Sequence, residues 1–154
     1  NSTLNLNYSL EQQINHINKL IETNFIVTNV DSIMSVFAAA RNALSEKGLS
    51  HKMLSNEKKT VELLDSIDNS YKRSSDFAVH VWDFPMYKED FIQLTKNIKV
   101  PVLIITGKKD YAIGVDHYKS FQFPTQKVVR INGGHVLYYE RNKAFTKAIF
   151  SFIK

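Results

Sequence analysis

Two residues with useful chemistry, an aspartate and a histidine, each follow a short apolar run in the second half of the chain. Asp110 comes after the run Val100 to Thr106, and His135 comes after the run Lys127 to Asn132. A histidine can take up and return a proton, and a carboxylate can hold the histidine ring in one tautomer. The two residue types therefore suit general acid-base chemistry, provided that the fold brings them together.

The two apolar runs are rich in β-branched residues and lead into polar turns, which predicts two buried strands. Between them, Val115, Tyr118 and Phe121 recur at helical spacing, so the unit is expected to be strand, helix and parallel strand. Ligands gather at the carboxyl ends of strands in open α/β sheets, where both residues would lie. Simpler interpretations stay open: the sequence GKKD also makes an acceptable surface turn, and a histidine after two glycines is often structural.

The segment VPVLIITGKKD, followed further along by INGGH and a final amphipathic helix, resembles the last two strands of an α/β-hydrolase. In that family the acid of a Ser-Asp-His triad follows the penultimate strand, and the histidine follows the last strand. The resemblance covers Lys99 to Lys154 and implies that Asp110 is the acid and His135 the histidine. The family's serine lies in a G-x-S-x-G elbow, which these residues lack, so we expect the nucleophile outside this chain.

The resemblance implies three parts. Residues 1–7 would leave a preceding strand, residues 8–85 would form a helical cap, and residues 86–154 would be the C-terminal part of the hydrolase core. The predicted fold class is α/β: a partial α/β-hydrolase core of two parallel strands with flanking helices, preceded by the helical cap. Because Asn1 is not a usual first residue, we expect a C-terminal fragment whose missing N-terminal half supplies the rest of the sheet.

The cap region shows helical spacing of apolar residues and no two-residue period. Ser9 and Gln12 have the spacing of a capping box, which predicts a helix from about Leu10 to Glu22. Gly48 is the expected stop of a second helix. Further helices are predicted to begin at residue 31 or 32 and at residue 55, and to span residues 75–83, 86–97 and 143–152.

Large apolar side chains cluster where the cap would return to the core. Family members often line the acyl or leaving-group pocket with such side chains, so the resemblance makes four residues candidates for substrate contact: Trp82, Phe84, Met86 and Tyr87. Ordinary packing between cap and core is the alternative for each of them. In epoxide hydrolases, two tyrosines of the cap activate the ring oxygen of the substrate. Tyr71 and Tyr87 could have this role, so an epoxide-hydrolase function stays open.

Other ionisable residues have simpler explanations. Asp116 is the competing acid, but its position after Gly114 better suits a helix cap. His16 borders the apolar stripe of the first helix, where a partly exposed histidine is a better interpretation than a pocket residue. The five histidines lack metal spacing, and the Gly107 to Gly114 turn lacks the phosphate-loop patterns. We therefore expect no metal and no cofactor.

Composition narrows the range of partners. The chain has 20 basic and 15 acidic residues and a net charge of +5, but its lysines are scattered, so no nucleic-acid partner is expected. No apolar run approaches the length of a membrane span and no signal peptide opens the chain, so no membrane partner is expected. The absence of cysteine fits a cytoplasmic protein.

The resemblance implies a serine hydrolase that acts on a small-molecule ester, amide or similar acyl substrate and is inactive as this fragment alone. Two alternatives remain open: a non-catalytic ligand-binding or interaction module with the same fold, and an epoxide-type hydrolase with an aspartate nucleophile. Two strands alone would leave two exposed edges, which predicts a homo-oligomer that forms through the sheet.

Overall fold

The structure is a computed structural model that describes residues 2–70 and 91–154, with side chains from residue 10 onward. The helix predicted over residues 75–83 lies outside these ranges. So do the pocket candidates Trp82, Phe84, Met86 and Tyr87, and also Tyr71. The described residues combine helices with a two-stranded parallel sheet, which confirms that the fold class is mixed α/β.

The sheet consists of β1, Val102–Gly107, and β2, Gln126–Ile131. The two strands are parallel, with Val102 opposite Gln126 and Gly107 opposite Ile131, so both predicted strands are found close to their expected bounds. Because parallel strands in this register end side by side, the turns that follow Gly107 and Ile131 meet at one edge of the sheet. The prediction that the carboxyl ends of the two strands lie at the same edge of the sheet is therefore confirmed.

The connection between the strands is less helical than predicted. Only His117–Ser120 forms a helical turn, and it is a 3₁₀ helix. Gly114 has a φ of 99°, and Phe121 is already extended ahead of Pro124, so few residues are left for a helix. The prediction of a helix over residues 115–121 was therefore wrong in length and type.

Three helices make up most of the first half: α1, Ser2–Ile21; α2, Ile33–Glu46; and α3, Lys58–Asn69. The second ends just before Gly48, whose φ of 68° suits the predicted stop. The first begins at Ser2 rather than near residue 10, so residues 2–7, which were expected to leave a strand, are helical. No glycine or proline interrupts that segment, and Ser9 lies within the helix instead of capping it.

The core of this half forms where α1 packs against α2. Ile17 on α1 and Leu44 on α2 are both fully buried, and Ala40 and Met53 complete their cluster. A second cluster joins Leu10 and Ile14 of α1 to Ile33 of α2, as the predicted apolar stripes require. Each large side chain buried in this way stabilises the fold by about 1.5–3 kcal/mol.

The second half begins with α4, Phe91–Leu94, and a 3₁₀ turn, and it ends with α5, Leu137–Glu140, and α6, Asn142–Ile153. The last helix contacts both strands. Large apolar side chains around the sheet nevertheless stay exposed, including Val100 and Ile153 at 65% and 72% of their surface. Such a surface favours association, and the homo-oligomer stays a prediction. None of the described helices is long and apolar enough to cross a bilayer.

Candidate active site

Asp110 and His135 meet at the carboxyl ends of the two strands. Nδ1 of His135 lies 3.1 Å from Oδ2 and 3.2 Å from Oδ1 of Asp110. The Asp110 side chain is 6% exposed, whereas the His135 side chain is 39% exposed. An ionised carboxylate only accepts hydrogen bonds, so Nδ1–H donates and Nε2 is left as the acceptor of the neutral ring. A buried acid thus orients a histidine that solvent can reach.

The Asp110 carboxylate is held by its own turn. The backbone N–H groups of Ala112 and Ile113 both donate to Oδ1, at 3.2 and 3.3 Å. Asp side chains commonly stabilise turns in this way. The turn is also tied to the second strand, because Lys109 N–H donates to the carbonyl of Gly133 at 3.0 Å. The acid therefore sits on a turn whose position depends on the loop that carries the histidine.

The pKa of His135 is raised above its ordinary value of 6.5. Its hydrogen bond to Asp110 is the main cause, burial of the ring opposes the shift, and the negative charge of Asp110 adds to it. A carboxylate partner stabilises the imidazolium that forms whenever a histidine takes up a proton. The pair thus has the electrostatics that a general base requires.

This shift predicts how stability depends on pH. Because the folded pKa lies above 6.5, the native state binds the His135 proton more tightly than the unfolded chain does. The resulting stabilisation should be fully present below that value and should be lost as the pH rises through the folded pKa. Urea unfolding at about pH 5 and about pH 8.5 measures the loss. If Asp110→Asn leaves this pH dependence intact, the pH dependence does not come from the pairing of His135 with Asp110.

Gly107, at the end of β1, and Gly134, directly before His135, have no room for a side chain. A Cβ atom at Gly107 would meet the carbonyl oxygen of Gly133 at 2.6 Å, and that of Gly134 even more closely. A Cβ atom at Gly134 would in turn lie 2.5 Å from the carbonyl oxygen of Leu54. Neither Gly133 nor Gly134 has a positive φ. The close approach of three backbone segments therefore explains the glycines better than a left-handed turn does.

Glu140 is a functional candidate that the sequence did not single out. Its side chain is fully buried, and Oε2 accepts the backbone N–H of Gly134 at 2.8 Å. Its Oε1 accepts the Asn56 side-chain amide at 3.4 Å and lies 3.6 Å from the Arg141 guanidinium. A buried carboxylate needs such partners. Glu140 thus fixes the glycine that precedes His135.

Arg141 extends the same network to the first half of the chain. Its Nε donates to the carbonyl of Asn132 at 2.9 Å, directly after β2. Its guanidinium also pairs with Glu57, which stands just before α3. Because a planar guanidinium can bond several acceptors at once, one side chain joins the end of β2 to the residue before α3.

Residues of the predicted cap contact both turns of the site, the one that carries His135 and the one that carries Asp110. The backbone N–H of His135 donates to the carbonyl of Leu54 at 2.7 Å. On the other side, the Gln13 amide donates to the carbonyl of Ala112 at 2.9 Å. The His16 ring stacks on Tyr111, with centroids 3.4 Å apart. His16 is a partly exposed residue of α1, as its sequence position predicted, and its ring also contacts the turn that carries Asp110.

The competing acid does not join the pair. Asp116 forms a partly exposed ion pair with Lys119 at 3.0 Å, and its side chain makes no capping hydrogen bond to the 3₁₀ turn that follows. His117 packs edge-on against Phe121 instead. Among the described residues, no group of three or more histidines and acids is placed to hold a metal ion.

Comparison of the chain with protein-family models, curated proteins and solved structures finds no match. A buried aspartate, a histidine oriented through Nδ1 and a closely packed glycine loop can together hold and move one proton. Such a pair acts on a substrate only with a nucleophile or an activated water beside Nε2.

Proposed function

We propose that Asp110 and His135 are the acid and the histidine of a Ser-His-Asp triad in a serine hydrolase of the α/β-hydrolase fold. The substrate would be a small-molecule ester, amide or similar acyl compound. His135 would take the proton of the serine and return it to the leaving group, while Asp110 stabilises the imidazolium. The observation that carries the proposal is the contact of Nδ1 with a buried carboxylate at the carboxyl ends of adjacent parallel strands.

The nucleophile would come from the part of the complete protein that precedes these residues. Ser55 lies beside the histidine loop, with its Cα 3.0 Å from a Cβ built at Gly134. It is only 1% exposed, and its hydroxyl oxygen accepts the N–H of Glu57 at 3.0 Å. That hydroxyl stabilises a turn and lacks the exposure that a nucleophile requires. Because the sequence also lacks a G-x-S-x-G elbow, these 154 residues alone should be inactive.

Labelling of the complete protein with a fluorophosphonate probe tests this proposal. The probe should label an elbow serine, and the labelling should disappear in His135→Ala because the serine then has no base. His117→Ala is the matched control and should be labelled like the native protein, since His117 only packs against Phe121. An elbow serine that stays unlabelled in the native protein would contradict the proposal.

Two other functions share this geometry. An aspartate at the elbow would favour an epoxide-type hydrolase, and glycine, alanine or asparagine there would favour a ligand-binding module. The residue at that position in the complete protein distinguishes all three. The serine hydrolase ranks first because an oriented, solvent-accessible histidine has no evident use in a module that only binds.

A further inference from the structure

The histidine loop, residues 132–135, is held at both ends by residues that lie outside it. At its start, the carbonyl of Asn132 accepts a hydrogen bond from Nε of Arg141 at 2.9 Å. At its end, the backbone N–H of His135 donates to the carbonyl of Leu54 at 2.7 Å. These two hydrogen bonds therefore determine where the loop lies.

Arg141 is itself held by two glutamates. Its Nη1 pairs with the Glu57 carboxylate and also donates to the backbone carbonyl of Glu140 at 2.9 Å. Its Nη2 lies 3.6 Å from Oε1 of the Glu140 side chain, which is fully buried. An isolated exposed ion pair contributes little, but a guanidinium that binds several acceptors at once is restricted to one orientation. Arg141 thus presents Nε to the histidine loop in a fixed direction.

Glu57 and Leu54 belong to one short segment, residues 54–57, which directly precedes α3. The hydroxyl oxygen of Ser55 accepts the backbone N–H of Glu57 at 3.0 Å, inside this segment. Ser55 is also buried, so the turn that it stabilises is packed against its surroundings. The segment therefore fixes Leu54 and Glu57 relative to each other. We call Arg141 and residues 54–57 the clamp.

The histidine loop is packed closely against both parts of the clamp. A Cβ atom at Gly134 would lie 2.5 Å from the carbonyl oxygen of Leu54 and 3.0 Å from Cα of Ser55. A Cβ atom at Gly133 would lie 3.1 Å from Cγ of Arg141. Because close-packed contacts transmit displacements, a shift of the clamp should shift the loop as well.

We propose that Arg141 and Glu57 are positioning residues for His135. Acting through the clamp, they keep the ring within hydrogen-bond distance of Asp110. The inference rests on the proposed function only for its effect on turnover, because the positioning itself is a property of the described residues. A movement of residues 54–57 would reach the base through the same contacts.

An NMR titration of the His135 ring in the 154-residue chain with Glu57→Ala tests the positioning. The pKa of His135 should fall toward 6.5, because a displaced ring loses its hydrogen bond to Asp110. The Nδ1 proton should exchange with water up to about tenfold faster, the factor that one lost hydrogen bond gives. Glu62→Ala is the matched control, since Glu62 pairs with Lys58 on the surface of α3, and it should leave both values native.

Two further variants separate positioning from stability. Arg141→Lys should change the His135 ring as Glu57→Ala does, because an ammonium group lacks the fork that reaches Asn132 and Glu57 together. Glu57→Gln keeps an acceptor oxygen for Arg141 and should restore most of the native pKa and exchange rate. Urea unfolding should show little change, because both side chains of the pair are more than one-third exposed. A lower unfolding midpoint with a native His135 pKa and exchange rate would overturn the proposal.

In the complete protein, Glu57→Ala should lower kcat by roughly tenfold to a hundredfold with little change in KM, because a misplaced base slows proton transfer. This result and the labelling result can be told apart. A changed His135 ring in Glu57→Ala supports the positioning role even if the complete protein is not labelled. Labelling of the native protein, together with an unchanged ring in Glu57→Ala, would support the hydrolase and overturn the role of the clamp.

Discussion

Replacing Asp110 with asparagine should lower the turnover of the complete protein by on the order of 10⁴-fold. The backbone N–H groups of Ala112 and Ile113 already donate to Oδ1, so the amide oxygen of the new side chain would take that position. Its NH₂ group would then replace Oδ2, which lies 3.1 Å from Nδ1 of His135. Nδ1 would have to accept a hydrogen bond, and the proton would move to Nε2. The ring would no longer be a base on its substrate side.

Kinetics with a p-nitrophenyl ester measure this effect. We expect the loss in kcat, with little change in KM, because the tautomer matters for proton transfer and not for binding. Asp116→Asn is the matched control, since its partner Lys119 is exposed and such ion pairs contribute little. Equal activity of Asp110→Asn and the native protein would show that the carboxylate does not orient the base.

Replacing Glu140 with leucine should reduce the free energy of unfolding by about 3 kcal/mol. The buried N–H of Gly134 would lose its acceptor, and the Asn56 amide would lose its own. Glu140→Gln keeps an oxygen for Gly134 and should cost only about 1 kcal/mol. Urea unfolding of the 154-residue chain measures both values.

The control for Glu140 is an exposed glutamate. Glu62 pairs with Lys58 on the surface of α3, where both side chains are more than half exposed. Glu62→Leu should therefore change stability by less than about 1 kcal/mol. If Glu140→Leu costs no more than this control, Glu140 does not hold the histidine loop.

The strands and the meeting of Asp110 with His135 could be predicted because their signals are local. A continuous run of β-branched residues bounded by turns specifies a buried strand. Parallel strands joined by one connection then place the following residues at the same edge. Here the local pattern and the tertiary structure require the same arrangement.

Other features depend on contacts that local patterns do not encode. Glu140 lies in the polar-looking sequence YYER, yet the fold buries it against Gly134. His16 is paired with Tyr111 across 95 positions of sequence, which no spacing rule could reveal. Ser9 had the spacing of a cap, but an uninterrupted helix continued through it. The first two misses reflect tertiary contacts, whereas the third reflects a helix that continues through a segment without glycine or proline.

The most direct test of the oriented pair is the ¹H–¹⁵N NMR spectrum of the His135 ring in this chain. Above the raised pKa of His135, we expect a proton on Nδ1 that is far downfield and slow to exchange, with Nε2 unprotonated. In Asp110→Asn the proton should move to Nε2. A native ring that carries its proton on Nε2, or one that Asp110→Asn leaves unchanged, would contradict the pair on which the proposed function rests.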